Sequence, residues 1–229
     1  FSAYSDFALG TGLLFNIILP KNFNSPLKSL SIIDFWQRWH MTLTYFLTNY
    51  VFMGIAKKFN KLSFSKSMYS IILTFLIAGI WHGPSWNFVV FGLWHGVCIV
   101  INHVFRKFEI KLNVILSWFL TITTVNVGFI IFRSLDLNQA LVMISKLFFI
   151  SGNNSENYNM FVNLLPAHML NFNSILLIFS ILIIFLKKNS NTYSETLKPK
   201  LKYIFGIFFM FLFSFLTMNS SNEFIYFNF

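Results

Sequence analysis

Two long apolar segments constrain the fold of this chain more than any other feature of its sequence. Residues 85–105 and 112–132 are both rich in Phe, Val, Leu and Ile. A helix of about 20 residues is about 30 Å long, which is the thickness of the hydrocarbon core of a bilayer. Both segments therefore predict membrane-spanning helices, and the apolar residues 169–186 and 203–218 predict two more.

The composition excludes two other classes of protein. Only 10% of the residues are charged, whereas 56% are hydrophobic and 20% are aromatic. A soluble domain carries about a quarter charged residues, so this chain cannot cover a water-exposed surface in the usual way. A disordered chain is excluded as well, because disorder requires low hydrophobicity.

The net charge of +10 is explained by membrane topology. Lys and Arg occur in short runs between the apolar segments, at residues 57–66, 106–111 and 187–202. With the predicted spans, all three runs fall on one side of the membrane, as the positive-inside rule requires of a cytoplasmic face. We therefore expect the basic residues to interact with the lipid bilayer and not with nucleic acid.

A helix break at residues 79–84 (GIWHGP) is the most unusual local feature. The apolar residues 68–80 before it are too few, at about 13, to cross a bilayer. Together with residues 85–105 they predict a broken-helix hairpin, with His82 at the break. Irregular backbone at membrane depth is tolerated only where protein or a water-filled cavity surrounds it.

Two further segments predict helices that lie at the membrane interface. Ser31 is a candidate N-cap, with Asp34 three residues later, and the pattern predicts a helix from there toward Met53 that is too polar at its start to be a simple span. Residues 137–150 are amphipathic. The predicted fold class is thus all-α: a polytopic membrane helical bundle with interfacial helices and a broken-helix hairpin.

Ionisable residues near membrane depth are candidates for function, and His82 is the strongest of them. The alternative interpretation is a histidine that only hydrogen-bonds a loop. On residues 85–105, helical spacing places Asn87, His95, Cys98 and Asn102 within an arc of about 80°. This polar stripe must face protein or water, and its alternative role is interhelical hydrogen bonding.

A second candidate cluster lies in the predicted interfacial helix. His40 follows Trp36 by four residues, which predicts that both lie on one face of the helix. The guanidinium of Arg38 is suited to binding a phosphate or a carboxylate. Snorkelling and packing at the interface are the alternative roles for this side chain.

Other chemistries are disfavoured by the motifs that the sequence lacks. It contains no GxSxG nucleophile elbow, Walker loop or HExxH motif, and Cys98 is its only cysteine. Histidines without nearby carboxylates or thiols disfavour a metal site. We expect no metal and no permanently bound cofactor, which leaves a histidine general base in a membrane cavity.

Several segments, in the same order, resemble the motifs of the membrane-bound O-acyltransferase family. They are residues 4–10 (YSDFALG), 19–26 (LPKNFNSP), 35–43 (FWQRWHMTL), 79–88 (GIWHGPSWNF) and 92–96 (GLWHG). Residues 132–134 and 224–229 resemble the C-terminal signatures of its bacterial branch, which contains the alginate O-acetylation and teichoic acid D-alanine transfer proteins. Family members are about twice as long, so we expect residues 1–229 to be the C-terminal part of a single membrane domain, with the N-terminal spans missing.

The resemblance implies an O-acyltransferase. His82 matches the catalytic histidine of the family, and His40 matches a second histidine of the branch. Asn87 or His95 would orient groups or stabilise the oxyanion, while Trp81 and Trp86 would wall the cavity. Trp36 and Arg38 are further candidates for substrate binding or orientation.

The resemblance also implies substrates and a location. An acyl-thioester (acetyl-CoA or an acyl carrier) would be the donor on the cytoplasmic side. The acceptor would be a hydroxyl of an extracytoplasmic polysaccharide or a periplasmic acyltransferase partner. The protein would be a multi-pass protein of the bacterial cytoplasmic (inner) membrane. Residues 57–66 depart from the family by lacking its Gly-rich segment.

Two alternative functions remain open at this point. One is a transporter or channel subunit with a polar pore stripe, although such proteins commonly contain repeated broken helices and this sequence shows one break. The other is a catalytically silent member of an acyl-transfer complex that retains the motifs.

Overall fold

The computed structural model describes residues 1–148, 167–196 and 200–216, and within these ranges the chain is helical and contains no strand. The α-helices, in chain order, are α1 (Ser2–Leu14), α2 (Ile32–Arg38), α3 (Met41–Phe46), α4 (Met53–Ala56), α5 (Phe64–His82), α6 (Trp86–Lys107), α7 (Val114–Arg133), α8 (Leu137–Phe148), α9 (Ala167–Leu186), α10 (Ser190–Thr196) and α11 (Leu201–Leu216). A 3₁₀ turn, Pro26–Lys28, precedes α2, and a π-helical turn, Leu47–Phe52, joins α3 to α4. The predicted all-α class is confirmed.

Among the described residues, three helices, α5, α6 and α7, are long and apolar enough to cross a membrane. The prediction that the segment before the break is too short to span is wrong, because α5 has 19 residues. It begins at Phe64, where the hydroxyl of Ser63 accepts a hydrogen bond from the backbone N–H of Lys66. The residues that follow Phe64 are polar, so hydropathy alone places the start of the apolar segment later than the start of the helix.

The predicted hairpin with a break at its tip is confirmed. His82 is the last residue of α5, and Gly83 follows with φ 153°, a conformation that L side chains rarely adopt. A Cβ at this position would also lie 2.8 Å from a ring atom of Phe88. The hydroxyl of Ser85 then caps α6 by accepting from the N–H of Asn87 at 3.3 Å. Glycine therefore allows the chain to turn within three residues.

The two helices of the hairpin pack with their backbones in contact. A Cβ on Gly92 would overlap the backbone carbonyl oxygen of Phe75, and one on Gly79 would overlap that of Phe88. Small residues at a helix crossing allow this close approach, which is how membrane helices commonly associate.

The predicted continuous helix from residue 31 toward Met53 is only partly confirmed. Its N-cap is as expected, since Ser31 accepts from the N–H of Asp34 at 3.0 Å. The helix ends at Arg38, however, and His40 adopts the left-handed conformation with φ 46° and ψ 53° before α3 begins. His40 and Trp36 therefore do not share one helical face. The N–H of Met41 donates to the backbone oxygen of Asn22 at 2.9 Å, a bond outside the helix that replaces its continuation.

Helix α2 and the spans form the core that positions these segments. Phe35 is completely buried and packs with Ile99 of α6 and Val125 of α7. A second cluster joins α6, α7 and α8 through Phe91, Ile131 and other buried apolar residues. The amphipathic α8 is thus held against α7 by one face.

Helices form at the two C-terminal apolar segments, as α9 and α11. That they span the membrane stays a prediction. The Lys-rich segment between them contains the short helix α10. The sequence also predicts a polar loop at residues 151–168, and most of it, residues 151–166, lies outside the described residues, as does the tail at 219–229.

Candidate active site

His82 lies in an aromatic environment at the tip of the hairpin. Its ring centroid is 5.1 Å from that of Phe132 and 6.1 Å from those of Phe88 and Phe91, and the ring is half-buried. Within the described residues, no hydrogen bond to the His82 ring is formed. Its two nitrogens are therefore not paired with any group of this part of the chain.

His40 reaches the same region from the joint between α2 and α3. Burial lowers the pKa of His40, and the nearby His82 lowers it further by electrostatic repulsion. A histidine with a lowered pKa is neutral at pH 7 and can accept a proton. The fold therefore brings together two histidines that lie 42 positions apart in the sequence.

The carbonyl oxygen of the Asn22 side chain is the partner of His40. Oδ1 of Asn22 lies 3.0 Å from Nδ1 of His40. The same oxygen accepts from the backbone N–H of Thr42 at 3.2 Å and from the Thr42 hydroxyl at 3.0 Å. One amide side chain thus organises the joint at which His40 sits.

Trp36 and His95 form the contact between α2 and α6. The indole Nε1 of Trp36 donates to Nδ1 of His95 at 3.4 Å. His95 is completely buried, and its ring centroid lies 4.7 Å from that of Phe91. On its other side, a Cβ at Gly128 of α7 would overlap Nε2 of His95. His95 therefore faces protein on all sides.

The predicted polar stripe on α6 does face protein. Asn87 is 2% exposed, and its amide donates to the backbone oxygen of Ser134 at 2.6 Å. Asn87 and His95 thus bond to neighbouring elements, which is the interhelical role considered for such residues. This contact joins the tip of the hairpin to the end of α7.

Arg38 is paired within its own helix. Its Nε lies 2.7 Å from Oδ1 of Asp34, and its Nη1 is 3.5 Å from the backbone oxygen of Asn24. The side chain is about one third exposed, at 35%. To bind an anion, as predicted, Arg38 would have to release the carboxylate of Asp34 or bind the anion and Asp34 at the same time.

The two tryptophans at the break differ from the expectation that they wall the cavity. The Trp81 ring contacts His82, with centroids 5.1 Å apart, but it is 67% exposed. Trp86 is 74% exposed and makes no ring contact with His82 in the described structure. As the first residue of α6, Trp86 lies on the surface of the tip. Phe88, Phe91 and Phe132 surround His82 instead.

Sequence reasoning missed four residues of this site. Asn22 lies in the loop motif at residues 19–26, which was available as a signal, although its bond to His40 was not. Phe132 begins the motif at residues 132–134, but its contact with His82 was not predicted. Phe91 and Gly128 carry no local signal, because aromatic residues and glycines are common in membrane helices. Their contacts appear only once α6 and α7 are packed together.

Two cavities in the described part of the chain are lined by neither His40 nor His82. One, of about 950 Å³, lies between α7 and α8 and is lined by Asn126, Arg133 and Gln139 among others. The other, of about 290 Å³, lies near Asp6 and α10. Across residues 1–148, 167–196 and 200–216 no group of three His, Cys, Asp or Glu residues is arranged to hold a metal ion.

Comparison with known proteins agrees with this arrangement of motifs. The family model described as "MBOAT, membrane-bound O-acyltransferase family" matches residues 1–145. This range contains α1 to α7, together with His40 and His82.

Curated relatives show the same pattern. A peptidoglycan O-acetyltransferase of Helicobacter pylori is 34% identical, and the match covers 100% of this chain and 46% of the relative. A probable alginate O-acetylase of Azotobacter vinelandii is 34% identical over 65% of this chain and 30% of its own length. A teichoic acid D-alanyltransferase of Bacillus subtilis is 34% identical over 48% of this chain and 29% of its own length.

The chain spans less than half the length of the curated relatives that it matches. The family match nevertheless covers more than half of the chain and includes both histidines of the candidate site. The chain belongs to the membrane-bound O-acyltransferase family.

Proposed function

We propose that the protein transfers an acyl group, acetyl in the first instance, from an activated thioester to a sugar hydroxyl outside the cytoplasm. The observation that carries this proposal is the juxtaposition of His40 and His82, each from a separate segment, in a region walled by aromatic rings. One of them is bound to an orienting amide, and the other is free of hydrogen bonds within the described residues. Such a pair can move a proton without a metal ligand set.

In the proposed reaction His82 is the general base. It removes the proton of the acceptor hydroxyl while that oxygen attacks the thioester carbonyl carbon. A C–O bond forms, the C–S bond breaks, and the imidazolium returns its proton to the leaving thiolate. General base catalysis of this kind contributes about 10²–10⁴-fold to a rate. Phe88 and Phe132 around the ring would limit access of water, which would otherwise hydrolyse the donor.

The topology supports an acceptor outside the cytoplasm. Helices α5 and α6 each run between a basic segment and the hairpin tip. If the basic segments are cytoplasmic, the tip with His82 lies toward the opposite side. The donor, acetyl-CoA or an acyl carrier, would approach from the cytoplasm. The protein would then be a multi-pass protein of the bacterial inner membrane.

Peptidoglycan is the acceptor that we favour among polysaccharides. The match to a relative named a peptidoglycan O-acetyltransferase covers 100% of this chain, whereas the matches to the alginate and teichoic acid enzymes cover 65% and 48% of it. In the alternative route, a periplasmic acyltransferase partner receives the acetyl group and transfers it to the polysaccharide. The assay below distinguishes this route from direct transfer.

The test uses the full-length gene product in membrane vesicles with isotopically labelled acetyl donor. We expect label on peptidoglycan, and a loss of at least 100-fold for His82→Ala and for His40→Ala. His103→Ala is a matched control on α6, since its side chain lies near the basic end of that helix. All variants are first checked for membrane insertion.

The outcomes separate the alternatives. Transfer by His82→Ala at the rate of the wild type would disprove the assignment of the base. Label that reaches peptidoglycan only when a periplasmic protein is added would establish a relay. An intact protein that never carries or transfers label, but co-purifies with an active enzyme, would identify a silent subunit. Transport of a solute without acyl transfer would favour a transporter.

A further inference from the structure

We propose that Asn22 is a positioning residue that holds His40 in the tautomer with its proton on Nδ1 and so makes Nε2 the basic nitrogen. This inference rests on the proposed function, because it assigns a role within the same site. Asn22 does not touch the reacting atoms in this view. It determines which nitrogen of His40 carries the lone pair.

The orientation of the Asn22 amide is fixed by its other partners. The backbone N–H of Thr42 lies 3.2 Å from the atom assigned as Oδ1. A backbone N–H can only donate, so this atom must be the carbonyl oxygen and not the NH₂ group. On the other side, Nδ2 of Asn22 donates to the Ser5 hydroxyl at 3.3 Å. If the amide were flipped, its NH₂ group would face the backbone N–H of Thr42, and both groups are donors.

The tautomer of His40 follows from this orientation. The carbonyl oxygen of Asn22 is an acceptor, so Nδ1 of His40, at 3.0 Å, must donate to it. A neutral imidazole has one N–H, and the other nitrogen then carries the lone pair. Nε2 of His40 is therefore the nitrogen that can accept a proton. A bond of this kind is how the partner of one ring nitrogen sets the role of the other.

The backbone holds Asn22 in place on both sides of His40. The N–H of Met41 donates to the backbone oxygen of Asn22 at 2.9 Å, and the N–H of Asn24 donates to that of Arg38 at 2.9 Å. His40 lies between these two bonds in the left-handed conformation. A non-glycine residue in that conformation is strained, and such strain persists where the surroundings fix it.

The two histidines therefore differ in a way that suits different tasks. His40 has one fixed basic nitrogen, whereas His82 makes no hydrogen bond within the described residues. The electrostatic interaction between them means that protonation of one opposes protonation of the other.

The test compares Asn22→Ala and Asn22→Asp in the full-length protein, with ¹⁵N-histidine labelling as a readout independent of activity. His40→Ala identifies the His40 signals. In the wild type we expect a protonated Nδ1 and an unprotonated Nε2. Asn22→Ala should mix the tautomers and lower kcat by about 10-fold with little change in KM. The tenfold loss corresponds to about 1.4 kcal/mol, within the usual range for a hydrogen bond that orients a charged or titrating group.

Asn22→Asp is the conservative rescue, since it keeps an acceptor oxygen opposite Nδ1. It should restore the tautomer and move the acidic limb of the pH profile upward by about one unit, because a carboxylate stabilises the imidazolium. His82 is the titratable group that interacts electrostatically with His40, and the ion pair of Arg38 with Asp34 lies on the adjoining helix α2; all three residues remain in both Asn22 variants. Asn24→Ala is a matched control in the same loop, and it should change neither readout.

Three outcomes would overturn the inference. One is an unchanged tautomer and kcat in Asn22→Ala. Another is a wild-type His40 protonated on Nε2. The third is an equal loss of activity in Asn22→Ala and Asn24→Ala, which would indicate a general effect on the loop. If the wild type itself transfers no acyl group, the proposed function fails, and the nitrogen spectrum still decides the role of Asn22.

Discussion

The indole Nε1 of Trp36 donates to Nδ1 of His95 across the interface between α2 and α6, at 3.4 Å. Since an indole N–H can only donate, His95 must accept with Nδ1 and carry its proton on Nε2. His95 is completely buried, so it is a positioning residue for α2 in this arrangement and lies out of reach of substrate. Its effect on His40 passes through Trp36, which belongs to the helix that ends two residues before His40.

Trp36→Phe should weaken the interface between α2 and α6, because it keeps an aromatic ring but removes the N–H that donates to His95. The substitution leaves the buried Nδ1 of His95 without a donor, which costs about 1–3 kcal/mol. We expect a lower thermal unfolding temperature in detergent and a moderate loss of acyl transfer. The double variant with His95→Phe should lose less than the sum of the single variants, since the interaction is already removed. Additive losses would show that the two side chains act independently.

Gly128→Ala should displace His95. The added methyl group would overlap Nε2 of the imidazole, which cannot move away because Phe91 and Trp36 pack against the ring. Overpacking of this kind costs about 1–3 kcal/mol. Gly54→Ala is the matched control, since nothing lies within 4 Å of a Cβ at that position. Equal unfolding temperatures for the two variants would contradict the packing described for His95.

The pH dependence of the protein should reflect the lowered pKa of His40. Burial disfavours its charged form in the folded state, so the unfolded chain binds more protons between the two pKa values and stability rises with pH there. Stability should therefore be level above the ordinary value of 6.5 and should fall as the pH drops below it, whereas transfer should fall only below the lowered pKa of His40 in the folded protein. His40→Gln should flatten the stability curve just below pH 6.5. A curve of unchanged slope in that variant would assign the dependence to other groups.

Gly92→Leu should separate the two helices of the hairpin. A side chain at position 92 meets the backbone oxygen of Phe75, and a backbone atom cannot move aside as a side chain can. We expect loss of folded protein in detergent, measured by size-exclusion chromatography. Gly10→Leu is the control, because a Cβ at Gly10 contacts nothing within 4 Å. A monodisperse Gly92→Leu protein with wild-type activity would show that the crossing tolerates a wider spacing.

The sequence predicted the fold class, the spans α6 and α7, the hairpin break and the Ser31 cap because these depend on local signals. Hydropathy, a glycine next to a proline, and a hydroxyl before a helix each act over a few residues. The same local signals were insufficient for α5 and His40. The first turn of α5 is polar, so hydropathy does not reveal where the helix begins. Apolar residues continue at helical spacing through residues 35–43, so the spacing does not reveal that α2 ends at Arg38.

The break at His40 depends on a partner 18 positions earlier in the sequence, since Asn22 supplies both a backbone and a side-chain acceptor. Periodicity contains no information about such a bond. The aromatic wall around His82 is similar, because Phe132 comes from another helix. The helix break and the motif resemblance both made His82 a candidate, and the interfacial helix and the resemblance did so for His40, but only packing shows what surrounds each of them.

The backbone contact between α5 and α6 has a mechanical consequence. Carbonyl oxygens of Phe75 and Phe88 rest against glycine Cα positions, so a shift of one helix by a single residue would drive a bulky side chain into a main-chain atom. The two helices of the hairpin therefore resist sliding past each other and behave as one rigid unit, which keeps His82 at the tip and His95 on α6 at a fixed separation. The loop that contains Asn22 is fixed in another way, by hydrogen bonds of Asn22 and by the buried ring of Phe23, which packs against Trp39.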